Sequence, residues 1–404
     1  MERHRLTRRL VGGPRLGARA VAQLALAAAA FTSVSPSASA RGAGAARGAA
    51  SARESGHCQG CTGHRPARFR QSSQPCDDAA MSQDVRALTN DLARNAWSLA
   101  AIALAAERGL LSAVAAGPCS VEELARKASI ADPTARALAD TLAALGLVAL
   151  EGERVRDSGA LAPFREQRAA NVLAAEIRSI LGTTRDAAYA AAADGPVEGW
   201  RAVDPVAVRA QGIVSNAVTL SLAPMLQAMP DMHARLSAPG ARFLDVGAGA
   251  AGLGIAYATL YPTLRVVGVE PSEVACAEAR LAIGAAGLAD RVEVRQAYGQ
   301  DLDELAGFAG AYVAQMFIPD DAVDAVWRAT ARALTPGAWL TTGTIATDGP
   351  ELAPAVARFR SAIWGGGVRR AQEVVAALER AGFTEVRAMQ SPGMVPILAR
   401  RRGQ

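Results

Sequence analysis

From Met81 onward, apolar residues recur at three- and four-residue spacing over residues 84–115, which predicts a helix. "SVEELARKASI", starting at Ser120, opens with a capping box: Ser120 accepts from first-turn amides and Glu123 reaches back. "ADPTARALADTLAALGLV" predicts a helix with Asp132 as N-cap, Pro133 at the first helical position and Gly146 as the stop. "LVALEGERVRDS" reads as two short strands around a turn. Helix, helix and small ribbon is the order of a winged helix, expected over residues 81–160. Residues 161–236 read as linking helices and a substrate lid, with a loop at "ADGPVEGW".

After Pro239-Gly240 the period changes. "ARFLDV" is a buried strand that runs into glycines, and "LRVVGVE" is a second. "SEVACAEARLAIGAAG" is a helix capped by Ser272. "RVEVR" and "GAYVAQMF" are the third and fourth strands. "DDAVDAVWRATARAL" is a helix and "GAWLTTGTI" the fifth strand. Alternation of this kind implies an α/β domain with a mostly parallel sheet covered on both faces. Its ligands are expected outside the carboxyl ends of the strands.

Charge changes the picture at the front of the chain. Residues 1–80 hold 12 arginines and 4 acids, a net of +8, while the rest is mildly acidic. Lys127 is the single lysine. The basicity is therefore local, and no broad basic face for nucleic acid is implied. In the predicted winged helix, residues 133–145 offer only Arg136 as a basic group, too little for a helix that reads DNA. No apolar run reaches the roughly 18 residues of a membrane-spanning helix. Within residues 1–40, arginines precede an apolar segment and an Ala38-x-Ala40 site, the layout of a secretory signal. The other reading, preferred here, makes residues 1–80 a disordered extension and the protein cytoplasmic.

The five cysteines do not make a disulfide framework. "HCQGCTGH" sets His57, Cys58, Cys61 and His64 close together, but no second ligand pair follows, so no metal site is assigned. Cys119 and Cys276 read as packing residues.

Candidate chemistry centres on "FLDVGAGAAGLG". Gly247, Gly249 and Gly252 fit Gly-x-Gly-x-x-Gly, and Glu270 closes the second strand. Glycine lets a backbone approach a ligand and lets a helix start with its amides exposed. An acid at the end of the second strand can accept from both ribose hydroxyls. These features by themselves fit a nicotinamide domain nearly as well.

Three further stretches bear on the choice: Asp245 two residues before the first glycine, the Pro-Gly turn in "RALTPGAWLTTG", and "ALERAGFTEVRAM" followed by "PILARR" as a closing hairpin. With the glycine loop, residues 237–404 resemble the class I S-adenosylmethionine-dependent methyltransferases. Residues 81–236 resemble, less specifically, the winged-helix dimerisation region and linking helices of the small-molecule O-methyltransferase-like branch. The resemblance implies a Rossmann-like seven-stranded sheet with an antiparallel last strand, S-adenosylmethionine as cofactor, a small-molecule acceptor and a homodimer. It places Asp245 and the Gly247–Gly249 backbone at the methionine end of the cofactor and Glu270 at the ribose. Tyr298 would lie beside the adenine, and Gln315 and Met316 would border the sulfonium and substrate.

Departures matter. The family's third glycine falls at Gly252 instead of at Ala251, and Tyr298 stands where an adenine-side acid is common. "MFIPDD" replaces the run that carries a catalytic histidine in plant-like members, and Phe317 falls near that position. His233, the only histidine beyond residue 80, precedes the first strand. No catalytic residue is therefore assigned. Positioning of an electrophilic sulfonium in a dry pocket carries the rate instead, and the acceptor atom stays open among oxygen, nitrogen and carbon. Asp320 and Asp321 read as helix caps after Pro319. Trp364 and the glycine run Gly365–Gly367 are expected to join the pocket. Two rivals stand beside this reading: an NAD(P)-dependent oxidoreductase, against which the closing hairpin weighs, and a winged-helix regulator with a non-catalytic cofactor domain.

Overall fold

A computed structural model describes residues 78–190, 204–389 and 393–403. The predicted signal-like pattern, the Cys-x-x-Cys cluster and the "ADGPVEGW" loop lie outside the described residues. The sheet and the cavity belong to a compact unit running from Ala96 to Gln404. Of a second unit, Val34–Asn95, the described part is the start of helix α1, Asp78–Glu107.

The helix expected over residues 84–115 is broken at Gly109, whose φ of 75° turns the chain into α2, Leu110–Ala116. A short strand β1, Cys119–Ser120, leads into α3, Val121–Ala128. The capping box forms as expected: the Glu123 amide donates to Ser120 Oγ at 3.1 Å, and the Ser120 amide donates to Glu123 Oε2 at 2.7 Å. Helix α4, Asp132–Ala144, corrects the cap: Ala131 is the N-cap, and Asp132 sits in the first turn beside Pro133. Strands β2, Val148–Glu151, and β3, Arg154–Asp157, form the ribbon, and β3 pairs with β1 to make a three-stranded antiparallel sheet. Leu111, Leu124, Leu138, Leu142 and Val155 close the core beneath it.

Helices α5, Gln167–Ala190, and α6, Pro205–Ser221, pack on each other, and short helices α7, Ala223–Gln227, and α8, Pro230–Ser237, lead to the sheet domain. That domain runs β4, Arg242–Val246; α9, Gly252–Leu260; β5, Arg265–Glu270; α10, Glu273–Ala285; β6, Val292–Gln296; and β7, Phe308–Val313. It continues with α11, Asp320–Ala333; β8, Leu334–Ile345; α12, Leu352–Ile363; α13, Ala371–Arg380; β9, Phe383–Ala388; and β10, Met394–Arg401. Sheet order is β6-β5-β4-β7-β8-β10-β9, with β10 antiparallel to both neighbours. This is the expected seven-stranded sheet with an antiparallel last strand.

Alternation along the strands builds both faces. Leu244, Val246, Val267 and Val269 pack with Trp327 and Phe383 on one side. Phe243 and Val266 pack with Tyr257, Tyr261 and Leu236 on the other. The Pro-Gly pair expected as a turn before the fifth strand is instead absorbed into β8. The register against β7 slips there, and Gly337 takes a φ of 75°. The order in which the parallel strands are added reverses at β4, with β5 and β6 to one side and β7 and β8 to the other, so a crevice opens above its carboxyl end.

Candidate active site

The loop after β4 turns sharply. Gly247 and Gly249 have φ of 78° and 53°, and Gly247 N–H donates to Val269 O at 2.8 Å. Space above Gly249 is open, whereas a β-carbon on Gly247 would press on that of Ala314 at 3.0 Å. Glu270 holds this loop from the neighbouring strand. Its Oε2 accepts from Gly249 N–H and its Oε1 from Ser272 N–H, both at 2.9 Å. Ser272 also caps α10, accepting from Ala275 N–H at 3.2 Å.

Asp245, near the end of β4, is buried, with Oδ2 meeting no hydrogen-bond partner. Burial, then the like charge of Glu270, pushes its carboxyl up to about 7, offset in part by the Gly254 amide. Glu270 is raised in the same direction by burial, against the pull of its two backbone donors. Two neighbouring acids, one of them with an oxygen that meets no donor, make a site suited to a cationic ligand group.

A cavity of about 1040 Å³ begins at this loop. Asp245, Gly247, Gly249, Glu270 and Tyr298 all line it, and Tyr298 keeps 58% of its surface exposed. Gly252 does not line it: a β-carbon there would run into the carbonyl oxygen of Gly212 on α6, and Asn216 Nδ2 donates to Gly252 O at 3.1 Å. This third glycine is a helix-packing residue. Ala251 takes the left-handed backbone, φ 58°, at the N-cap of α9.

Gln315 also stands apart from the cavity surface, which Met316 lines. Its Nε2 donates to Gly343 O at 2.8 Å, and its Oε1 accepts from Arg369 Nη1 at 2.9 Å. Arg369 further donates to Ile318 O at 3.1 Å and pairs with Asp320. Asp320 and Asp321 are not caps: Pro319 holds the N-cap position with no side-chain bond, and Asp321 lines the cavity. The glycine run is tightly turned, with Gly366 packed on the Met316 backbone. Trp364 and Phe317 meet there at 4.8 Å between ring centroids.

Sequence reasoning missed several lining residues. Tyr257 is buried and Tyr312 partly buried, and desolvation pushes both hydroxyls well up. Tyr257 stacks on Phe243 at 4.1 Å. Gln211, Ser215, Leu222 and Met225 come from the linking helices, and Met389 and Met394 from the closing hairpin. Arg360 also lines the cavity, and its four-residue spacing from Trp364 on one helix face was the available signal. Among the described residues, no histidine lines the cavity. Among the described residues no group of His, Cys, Asp and Glu could hold a metal ion, and no single helix is long and apolar enough to cross a membrane.

The stretch from β4 to the Pro-Gly irregularity of β8, residues 243–337, matches the family described as "Methyltransferase domain". These residues are a methyltransferase domain. No curated protein matches the chain. Solved structures resemble nearly the whole described body. The mitomycin 7-O-methyltransferase is 23% identical, with a TM-score of 0.55, over 80% of this chain and 99% of its own. An O-methyltransferase family protein from Burkholderia thailandensis is 14% identical, with a TM-score of 0.58, over 80% and 98%. Human N-acetylserotonin methyltransferase, solved with S-adenosylmethionine, is 16% identical, with a TM-score of 0.53, over 83% and 100%. At these identities the likeness establishes the fold. In the methyltransferase domain, the open space above Gly249, the acid at the end of β5 and the orphaned oxygen of Asp245 fit a ligand with a ribose and a cationic amino-acid end.

Proposed function

We propose that the protein transfers a methyl group from S-adenosylmethionine to a small-molecule acceptor, with oxygen the favoured receiving atom. The observation that carries this is the continuity of the cavity. One enclosure of about 1040 Å³ joins the glycine loop, Asp245 and Glu270 to a wall of Met225, Met316, Phe317 and Trp364. That is at the upper end of ordinary ligand pockets, roughly 300–1000 Å³, and has room for a cofactor and a flat acceptor together.

When bound, the cofactor supplies an electrophilic methyl on a sulfonium. The chain's own residues do the rest. Asp245 and the Gly247–Gly249 backbone hold the amino-acid end, and Glu270 accepts from the ribose. Tyr298 covers the adenine side, while Met316 and Phe317 border the reacting region. Tyr257, Tyr312 and the apolar wall exclude water, which keeps the approach of the acceptor in line and the local dielectric low. Residues 161–236 serve as lid, since α6 and the turn after it contribute Gln211, Ser215 and Leu222. Residues 81–160 serve for dimerisation.

Calorimetry with S-adenosylhomocysteine, NAD and NADP tests the cofactor: binding of the first alone is expected, and binding of NAD alone would restore the oxidoreductase. Labelled methyl transfer to a panel of phenols, amines and thiols then identifies the receiving atom.

A further inference from the structure

Charge is spread unevenly in the cavity. Its acids Asp245, Glu270 and Glu273 stand at the ends of β4 and β5 and the start of α10, and Asp321 opens α11. Among the described residues, Arg360 is the one cation that lines the cavity. It comes from α12, which follows β8, and β8 lies across β7 from β4 and β5.

The Arg360 guanidinium is half-buried. Its Nε is sealed from solvent and meets no acceptor, and no carboxylate pairs with it among the described residues. Burial lowers its pKa, with no acid nearby to offset this. Neighbouring arginines differ. Arg358, two residues earlier, donates to Thr347 O at 2.6 Å and Gly349 O at 2.8 Å. Arg369 is committed to Gln315, Ile318 and Asp320. Arg360 instead lies over the ring of Trp364, 4.8 Å from its centroid, and Trp364 in turn meets Phe317 at a 41° tilt. A desolvated guanidinium with an unmade bond is destabilising until an anion meets it. With Nε sealed, the two Nη nitrogens at the end of the guanidinium, paired with no carboxylate among the described residues, form the fork that matches the two oxygens of a carboxylate. The tilted aromatic pair beside it offers an apolar corner.

We propose that the acceptor site takes an aromatic carboxylic acid, its carboxylate on Arg360 and its ring against Trp364 and Phe317. The proposal rests on the methyl-transfer reading for the word acceptor and concerns only how that molecule is held. The acids at the glycine loop then face a cationic cofactor while Arg360 faces an anionic partner.

Calorimetric titration of the full chain tests this with 3-hydroxy-2-naphthoate, its amide 3-hydroxy-2-naphthamide, and 2-naphthol. The naphthoate is expected to bind at least about tenfold more tightly than either neutral compound, a difference of about 1.4 kcal/mol. R360Q is expected to erase that preference and leave S-adenosylhomocysteine affinity within about twofold, a shift below about 0.5 kcal/mol. R360K, which keeps the charge and loses the fork, should retain only part of it. Equal binding of naphthoate and amide, tighter binding of 2-naphthol, no naphthoate binding, or a preference that survives R360Q overturns the proposal. If R360Q does not fold, the wild-type comparison and R360K decide. S-adenosylhomocysteine is titrated separately; its failure to bind strikes the cofactor reading, while the naphthoate–amide comparison on the unliganded chain still decides the role of Arg360.

Discussion

Gly252 and Gly212 touch backbone to backbone. A β-carbon on Gly252 would overlap the carbonyl oxygen of Gly212, so α9 and α6 cross with no side chain between them. The glycine that completes the loop motif in sequence thus fastens the linking helices onto the methyltransferase domain. Since α6 carries Gln211, Ser215 and Val218 into the cavity wall, this contact sets the wall's position.

Gly252→Ala is therefore expected to destabilise by about 1–3 kcal/mol, the cost of overpacking where the neighbour is backbone and cannot turn aside. Thermal unfolding should show a drop of several degrees, roughly 2–4 °C per kcal/mol for a body of this size. An unchanged melting temperature would mean that the helices separate freely.

Glu270→Gln should weaken S-adenosylhomocysteine binding by about 1–3 kcal/mol, through a lost charge-assisted bond and a loosened loop. The amide nitrogen cannot accept, so either Gly249 N–H or Ser272 N–H loses its partner. Calorimetry on the folded variant measures it, and an unaltered affinity would remove Glu270 from the cofactor site.

Asp245 makes the unliganded protein sensitive to pH. Its carboxyl is raised to about 7 from an ordinary 3.8, so the folded state holds a proton that the unfolded state has released. Stability from this group is present below about pH 4 and is lost as pH rises to about 7. Asp245→Asn should raise the melting temperature of the unliganded chain at pH 8 and make little difference below about pH 4. Binding of the cationic cofactor should release a proton near pH 6–7, seen as buffer-dependent calorimetric enthalpy. A pH-independent difference between the two chains would count against the buried carboxyl.

Two apolar stripes remain at the surface, Val85, Leu88 and Leu92 on α1 and Leu352, Val356 and Phe359 on α12. Burial in a symmetric pair is their expected use. Light scattering should give twice the monomer mass, and Leu88→Asp with Leu92→Asp should lower it to one. Duplex DNA should not bind, because Arg136, the basic residue of α4, is already engaged by Asp140 at 3.2 Å and Glu153 at 2.8 Å. A monomer in scattering, or duplex binding that weakens steeply with salt, would revive the regulator.

The order of elements, the Ser120–Glu123 and Ser272 caps, the closing hairpin and the positions of Asp245, Gly247, Gly249 and Glu270 at adjacent strand ends were legible in the sequence. Each depends on residues a few positions apart, where period, capping chemistry and glycine's backbone freedom act locally. Asp132 and Asp320 slipped by one position for a local reason too: a proline at the helix start set the boundary without a side-chain cap. Only the tertiary structure decided the rest. Gly252 turned from loop to packing contact because Gly212, 40 residues earlier, folds against it. Gln315 was drawn off the cavity by Arg369 and Gly343, partners brought in by β8 and the segment after α12. Arg360 reached the cavity because α12, which follows β8, lines it, and among the described residues no acid pairs with it there.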